Sequence, residues 1–277
     1  MKQYFLVACL SLLLAGCTLS GIKKANTQLL TGHWLILFPK HHLENEEQEK
    51  IYAAIQDSIM RPMGLALINF TDDHSFYYTD SLYGKKGKWT LTGNTLLIEK
   101  AGGGFTYFNG EIGKIEKGIM QVEQQFRVGT ETIRITWHLK KIKESSPHYR
   151  LFDSSVNWWR QPPTASENLK SLQKRTTAMA AYYADYFAMI EGEANYFAPR
   201  RILMPLNFYQ HAIGVKQYDS THAFNRFYFN SSDARQANAI LEDGMRGLGP
   251  VERGENYVVE YASILKQLAT NISPSKE

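Results

Sequence analysis

The first half of the chain is dominated by apolar and polar side chains that alternate at every second residue, the pattern of a β-strand with one buried face. Residues 120–128 and 133–139 show this alternation most clearly. Further apolar runs that we interpret as strands occupy residues 30–38, 65–70, 76–78, 88–92, 95–99 and 105–112. Glycine and asparagine between the runs favour tight turns. We therefore predict eight antiparallel strands that form a barrel or a sandwich.

An amphipathic helix is predicted between the first two strands, over residues 44–60. Isoleucine recurs at every fourth position, at Ile51, Ile55 and Ile59, and acidic side chains occupy the first turn. Acids at that end stabilise a helix because they face the positive end of its dipole. Pro62 ends the pattern, since proline cannot continue a helix.

The second half changes to a period of three and four residues, which is typical of helices. A stripe of this period predicts a long helix over residues 165–191, with the following residues on its buried face: Leu169, Leu172, Thr176, Met179, Tyr183, Tyr186 and Ile190. Two shorter stripes predict helices around residues 237–245, ended by Gly247, and around residues 257–268. We therefore expect an α+β multidomain protein, an antiparallel β-barrel followed by an all-α domain.

The lysine and arginine content changes at the same place as the period of the apolar residues. Residues 17–148 contain 13 lysines and three arginines, whereas residues 149–277 contain five lysines and nine arginines. Pro147 and the pair Pro162-Pro163 interrupt the chain at this point. We expect the following organisation, with the joint near residue 148: a signal peptide at 1–16, a tether at 17–27, a β-domain at 28–143, a linker at 144–164 and a helical domain at 165–272.

The first residues have the pattern of an export signal, one positive charge followed by an apolar run at residues 4–14. Such a run spans only about 16 Å as a helix, half of the hydrocarbon core of a bilayer. Leu14-Ala15-Gly16-Cys17 follows, and it resembles the bacterial lipobox. The resemblance implies that residues 1–16 are removed and that acyl chains such as palmitate anchor Cys17 in a membrane.

The residue after the lipobox cysteine predicts which membrane holds the protein. Thr18 stands where an aspartate would resemble an inner-membrane retention signal. The acidic run of many surface-exported lipoproteins is also missing from the tether. We therefore expect an outer-membrane lipoprotein that faces the periplasm.

Two tryptophan motifs resemble those of the lipocalin-like domains found in bacterial lipoproteins. Gly32-His33-Trp34 resembles the Gly-x-Trp that closes the base of a lipocalin barrel. Gly87-Lys88-Trp89 resembles the tryptophan strand in the middle of the small bacterial domains. Arg134 matches the arginine that packs over the first tryptophan. The resemblance covers residues 28–143 and implies a small hydrophobic ligand inside the barrel. The candidate binding residues are Trp34, Trp89 and Trp137.

Charge, cysteine content and the absence of catalytic motifs exclude several classes of function. A net charge of +4, from 31 basic and 27 acidic residues, excludes a strongly basic nucleic-acid binder. Cys9 lies in the leader and Cys17 is the lipidation site, so the mature chain has no disulfide and no free thiol nucleophile. The sequence contains no serine-hydrolase elbow, phosphate loop or dinucleotide motif. It therefore does not predict an enzyme, and no cofactor is expected.

Two groups of histidines and acids have the chemistry of metal ligands. His41-His42 precede an acidic stretch, and His74 follows Asp72-Asp73. Neither group has the His-x-x-x-His spacing or the cysteine pair that would fix a metal geometry. We interpret them as a solvated helix start and a turn, and no metal site is predicted.

Three Asp-Ser sequences resemble the Asp-Ser/Thr-apolar O-glycosylation sequon of a large phylum of Gram-negative bacteria. They make Ser58, Ser81 and Ser220 candidate modification sites.

Three functions fit these observations: a ligand-binding module, an interaction scaffold within an envelope protein complex, and an unrecognised hydrolase. An eight-stranded barrel has room for either side chains or one small ligand. Binding inside the barrel is the first hypothesis. An interior filled by its own tryptophans would favour the scaffold, in which the helical half and the aromatic segment at residues 196–229 contact a partner protein.

Overall fold

A computed structural model describes residues 27–37, 40–55, 67–78, 86–104, 106–153, 155–191, 206–208, 214–251 and 257–274. The strands are β1 (Gly32–Ile36), β2 (Lys40–His42), β3 (Leu67–Phe70), β4 (Ser75–Tyr78), β5 (Lys86–Thr92), β6 (Thr95–Lys100), β7 (Thr106–Glu116), β8 (Ile119–Val128) and β9 (Glu131–Ile142). The α-helices are α1 (Thr27–Leu30), α2 (Glu46–Ile55), α3 (Leu169–Glu191), α4 (Ser231–Arg246) and α5 (Tyr257–Asn271). Short 3₁₀ helices cover Pro147–Phe152, Trp158–Arg160 and Ala223–Phe227.

The strands close into an antiparallel barrel. Each strand from β3 to β8 pairs with the next one along the chain, and β1 pairs with both β3 and β9. His33 of β1 therefore lies opposite Asn69 of β3 on one side and Ile142 of β9 on the other. Because β1 and β2 pair with successive stretches of β9, together they occupy one of eight strand positions. The predicted closed antiparallel barrel is confirmed.

The inward faces carry large apolar side chains. The barrel core includes Trp34, Trp89 and Trp137, each almost fully buried. The alternation fails at the end of β8, where Val128 was expected on the buried face but is 46% exposed. Val128 pairs with Glu131 next to the turn into β9, so it lies beyond the core.

Helices cover both ends of the barrel. At one end, Leu30 of α1 is buried in the barrel core, and the Trp34 Nε1–H donates a hydrogen bond to the Leu30 carbonyl (2.7 Å). At the other end, Ile51 and Tyr52 of α2 pack against the same core. The Gln48 side chain of α2 donates a hydrogen bond to Glu131 at the start of β9 (3.2 Å).

The glycines of the two tryptophan motifs have different structural roles. Gly32 has a φ of +124°, which residues with a side chain rarely adopt. Gly87 allows a close approach between strands, because a Cβ there would lie 1.9 Å from the Glu99 carbonyl oxygen.

The described part of the second half contains three long helices that share one core with neighbouring segments. Six of the seven predicted stripe residues of α3 are buried, but Leu169 is 58% exposed because it is the first helical residue. Phe187 of α3 stacks on Tyr261 of α5 with ring centroids 5.1 Å apart. An isolated antiparallel bridge joins Phe208 to Val215, so the described part of this half contains more than helices. None of the described helices is long and apolar enough to cross a bilayer.

The predicted linker, residues 144–164, contains two of the 3₁₀ helices. Leu151 and Trp159 within it are fully buried. They belong to the same apolar cluster as the helices of the second half and as Leu35 and Leu67 from the outer face of the barrel. The two halves therefore share a core, and their division into separately folding domains stays a prediction.

Candidate functional site

The described residues of the barrel interior leave little space for a ligand. Its cavity has a volume of about 10 Å³, which is about the space that one water needs. The lining is apolar, formed by Ile36, Ile68, Leu96, Ile98, Phe108, Trp137 and Leu139. Binding of a hydrophobic ligand by Trp34, Trp89 and Trp137 stays a prediction, and a ligand larger than water would have to displace side chains.

Among the described residues, Gln124 brings a polar side chain next to this interior. Gln124 of β8 is buried, and its Oε1 accepts a hydrogen bond from the Trp137 Nε1–H at 2.9 Å. Gln124 was not predicted from the sequence, although it occupies an inward position of the β8 alternation. The contact satisfies the indole N–H and joins the two side chains across the neighbouring strands β8 and β9.

A larger space lies outside the barrel, where β1, β3 and β9 meet the 3₁₀ helix at Pro147–Phe152. Its volume is about 600 Å³, within the usual range for small-molecule sites. We call it the β1 cleft, and its lining includes Gly32, His33, Asn69, Lys141, Glu144 and Tyr149.

The register of β1 places two polar side chains next to each other in this cleft. His33 and Asn69 lie directly opposite each other, and directly opposite residues of paired strands share a face of the sheet. The His33 ring contacts Tyr149 with centroids 4.8 Å apart and Phe152 with centroids 4.1 Å apart. The aromatic 3₁₀ helix therefore packs directly on β1.

Burial favours the neutral forms of the His33 and Tyr149 side chains. It lowers the pKa of His33, an effect that the nearby Glu144 carboxylate opposes. It raises the pKa of Tyr149, and Glu144 adds to that shift.

Lys141 closes the inner edge of the cleft. It lies opposite Trp34, with its Nζ 5.3 Å from the centroid of the Trp34 ring, and it donates a hydrogen bond to the Leu29 carbonyl (3.2 Å). Partial burial lowers the pKa of Lys141. The expectation that Arg134 packs over Trp34 was wrong. Arg134 is exposed and lies opposite His42 of β2, near the start of β9. Lys141, near the end of the same strand, lies beside Trp34 instead.

Three half-buried polar side chains of the cleft have no hydrogen-bond partner within the described ranges: His33, Asn69 and Tyr149. Partly desolvated polar groups gain free energy when a ligand satisfies them. The β1 cleft is therefore the candidate functional site. Its residues were not predicted from the sequence, because only the register of β1 brings them together.

The acidic turn that was weighed as a metal site has a structural role. Asp73 accepts hydrogen bonds from the Thr71 hydroxyl (2.6 Å) and from the Ser75 N–H (3.0 Å). These hydrogen bonds, the first above all, lower the pKa of Asp73 to about 2. In the part of the chain that the structure describes, no three His, Cys, Asp or Glu side chains converge on one point. The His41 side chain lies outside the described residues.

The candidate modification sites are only partly visible. Cys17, Ser58 and Ser81 lie outside the described residues. Ser220 is exposed and stands between Asp219 and Thr221. The Asp219 carboxylate accepts hydrogen bonds from the N–H and the hydroxyl of Thr221, at 2.8 and 2.9 Å, so it stabilises this turn.

The environment of His33 predicts a loss of stability in mild acid. Its pKa is lowered in the folded chain, so the unfolded chain takes up the proton first as the pH falls. The stabilising contribution is complete above the unfolded pKa of about 6.5 and is lost as the pH falls from there towards the lowered folded value. We expect the urea midpoint to decrease between about pH 7.5 and about pH 5.5.

The test of this prediction compares two histidine variants. His33→Gln should show a smaller decrease of the urea midpoint over the same pH range, because the titrating ring next to Tyr149 and Phe152 is gone. His42→Gln removes an exposed imidazole and should keep the decrease of the parent. An equal decrease in the parent and in His33→Gln would contradict the assignment.

Comparisons with known proteins do not place the chain in a family. No protein-family model and no curated protein matches it. Among solved structures, the bovine lipocalin allergen Bos d 2 shares 14% identity and covers 48% of this chain and 87% of its own, with a TM-score of 0.26. That score is too low to support an assignment, so the description of the barrel rests on its own strand pairing.

Proposed function

We propose that this chain is a membrane-anchored, lipocalin-like lipoprotein of the outer membrane that binds a small ligand in the β1 cleft. The observation that carries the proposal is a set of half-buried polar side chains that have no hydrogen-bond partner among the described residues and that line a space of about 600 Å³. The nearly filled barrel interior argues against a second binding site there. In this proposal the barrel is a rigid support, and the lipid on Cys17 positions it at the membrane.

Native mass spectrometry of the protein extracted from its own envelope tests the proposal. We expect a retained small molecule in the parent and its loss in Tyr149→Ala, which removes a wall of the cleft. Retention should persist in Trp137→Phe, which changes the barrel interior and leaves the cleft intact. Retention that is lost in Trp137→Phe and kept in Tyr149→Ala would place the ligand inside the barrel and contradict the proposal.

A second candidate function is the interaction scaffold, and a surface groove favours it. The groove runs along α3 and α5 and has a volume of about 760 Å³. Alanines such as Ala181 and Ala262 line it, and the ion pair between Arg150 and Asp185 lies at its rim. A stoichiometric protein partner without a small molecule in the same mass spectra would support the scaffold over ligand binding.

The anchor itself gives a separate prediction. Cys17→Ala removes the residue that would carry the lipid, so the protein should leave the membrane fraction almost completely or remain unprocessed. Two acyl chains bind a membrane essentially permanently, so the effect should be large. Fractionation of cells followed by immunoblotting measures it. Cys9→Ala changes the other cysteine of the sequence and should fractionate like the parent. Unchanged membrane association of Cys17→Ala would show that the anchor assignment is wrong.

A further inference from the structure

We infer that the β1 cleft binds a neutral saccharide, because the side chains of His33, Asn69 and Tyr149 meet there as uncharged groups that both donate and accept hydrogen bonds. The inference rests on the proposed function and names its ligand class. The cleft lies outside the barrel, whereas the resemblance to lipocalin-like domains implies a hydrophobic ligand inside it.

The hydrogen-bonding groups of the cleft decide the class of ligand. An amide, a neutral imidazole and a phenol each contain at least one donor and one acceptor. A sugar hydroxyl also donates and accepts, so several hydroxyls can satisfy the three side chains together. An ion would use only one half of this capacity, since a carboxylate only accepts and an ammonium only donates.

The charges of the cleft balance each other. Lys141 and Lys143 carry positive charge, and Asp72 and Glu144 carry negative charge. The formal sum is zero, so the cleft has no excess charge that would favour an anion or a cation. A neutral ligand is therefore the best match to its electrostatics.

The shape of the cleft also fits a sugar. Tyr149 supplies an aromatic surface beside the polar groups, and its ring is held by the edge contact with His33. Sugars have apolar C–H faces and polar edges, and an aromatic ring with a polar tip matches both. A volume of about 600 Å³ accommodates one or two sugar units.

Saturation-transfer NMR on the full chain, extracted from membranes in detergent, tests the inference. The probes are maltose, cellobiose and N,N′-diacetylchitobiose, with glucuronate and glucosamine as charged counterparts and octanoate as an apolar one. We expect saturation transfer to at least one neutral sugar and none to the charged or apolar probes.

Matched variants locate the binding. Asn69→Leu and Tyr149→Phe should each weaken sugar binding about tenfold, which is what the loss of one buried hydrogen bond to a ligand costs. Asn109→Leu makes the same change as Asn69→Leu at an exposed position of β7 and should bind like the parent. Urea midpoints of the three variants show that they are folded.

Each outcome separates the ligand class from the function. Binding of only a charged or apolar probe, sensitive to Asn69→Leu, would overturn the saccharide and keep ligand binding in the cleft. Sugar binding that is equal in Asn69→Leu and Asn109→Leu would overturn the site. If none of the six compounds binds to the folded parent, the saccharide inference fails, and the envelope mass spectra then decide separately whether a ligand exists.

Discussion

Replacement of Arg175 by methionine should lower the free energy of unfolding by about 3–5 kcal/mol, because it breaks a buried ion pair and leaves one partner charged. Arg175 is on α3, and its Nε and Nη2 donate to the two carboxylate oxygens of Glu167 at 2.7 and 3.1 Å. The two side chains are only 5% and 15% exposed. The Arg175 Nη1 donates to the carbonyls of Trp159 and Gln161 at 3.0 and 2.9 Å. One guanidinium therefore holds the segment at residues 159–167 against α3.

Urea denaturation of Arg175→Met measures this effect, and a surface arginine provides the control. Arg246 forms an ion pair with Asp243 on α4, and both side chains are about two-thirds exposed or more. Exposed pairs contribute between about 0 and 1 kcal/mol, so Arg246→Met should stay within that range. The double variant Arg175→Met/Glu167→Leu should recover part of the loss, since no unpaired charge remains. A midpoint of Arg175→Met equal to that of Arg246→Met would show that the ion pair does not hold the segment.

The strands of the first half could be predicted from the sequence, because a two-residue period involves only residues that are close together in the chain. The alternation at residues 120–128 and 133–139 identifies the strands, and the structure extends them only by a few residues. The exposure of Val128 shows the limit of the pattern. Alternation tells which face a residue occupies, but it does not tell where along the strand the core ends.

The packing of the two halves could be predicted only in part. The continuous apolar run from Trp34 to Leu37 is typical of a strand buried on both faces, so it indicates a cover over the outer side of β1. The identity of the cover, Leu151 and Trp159 with the helices behind them, depends on contacts over more than 100 residues of sequence. No local pattern specifies such contacts.

The candidate site also depends on contacts between residues that are far apart in the sequence. His33, Asn69 and Tyr149 are far apart in the sequence and carry no motif. They meet because β1 pairs with β3 in a register that sets His33 against Asn69, and because the 3₁₀ helix turns Tyr149 back onto His33. A shift of one residue in that register would send Asn69 to the opposite face of the sheet from His33.

Replacement of Trp137 by alanine should lower the free energy of unfolding by about 3–5 kcal/mol through the loss of buried contacts. Trp137 is fully buried, lies against Phe108 with ring centroids 6.1 Å apart, and donates to Gln124. Its removal also leaves the buried Gln124 oxygen without this donor. Trp137→Phe keeps most of the ring and should cost less, about 1–3 kcal/mol for the unsatisfied glutamine. Urea denaturation of both variants measures the two contributions.

The same variant tests whether the barrel is filled by its own side chains. Trp137→Ala should enlarge the apolar cavity of about 10 Å³ into one that takes up benzene. Benzene should then raise the urea midpoint of Trp137→Ala by mass action and leave the parent unchanged, since a ligand stabilises only the state that binds it. Trp158→Ala, a change in the partly exposed neighbour of Trp159, should not respond to benzene. If benzene stabilised the parent as much as Trp137→Ala, the natural barrel would already have room for an apolar ligand, and the hydrophobic-ligand hypothesis would replace the cleft.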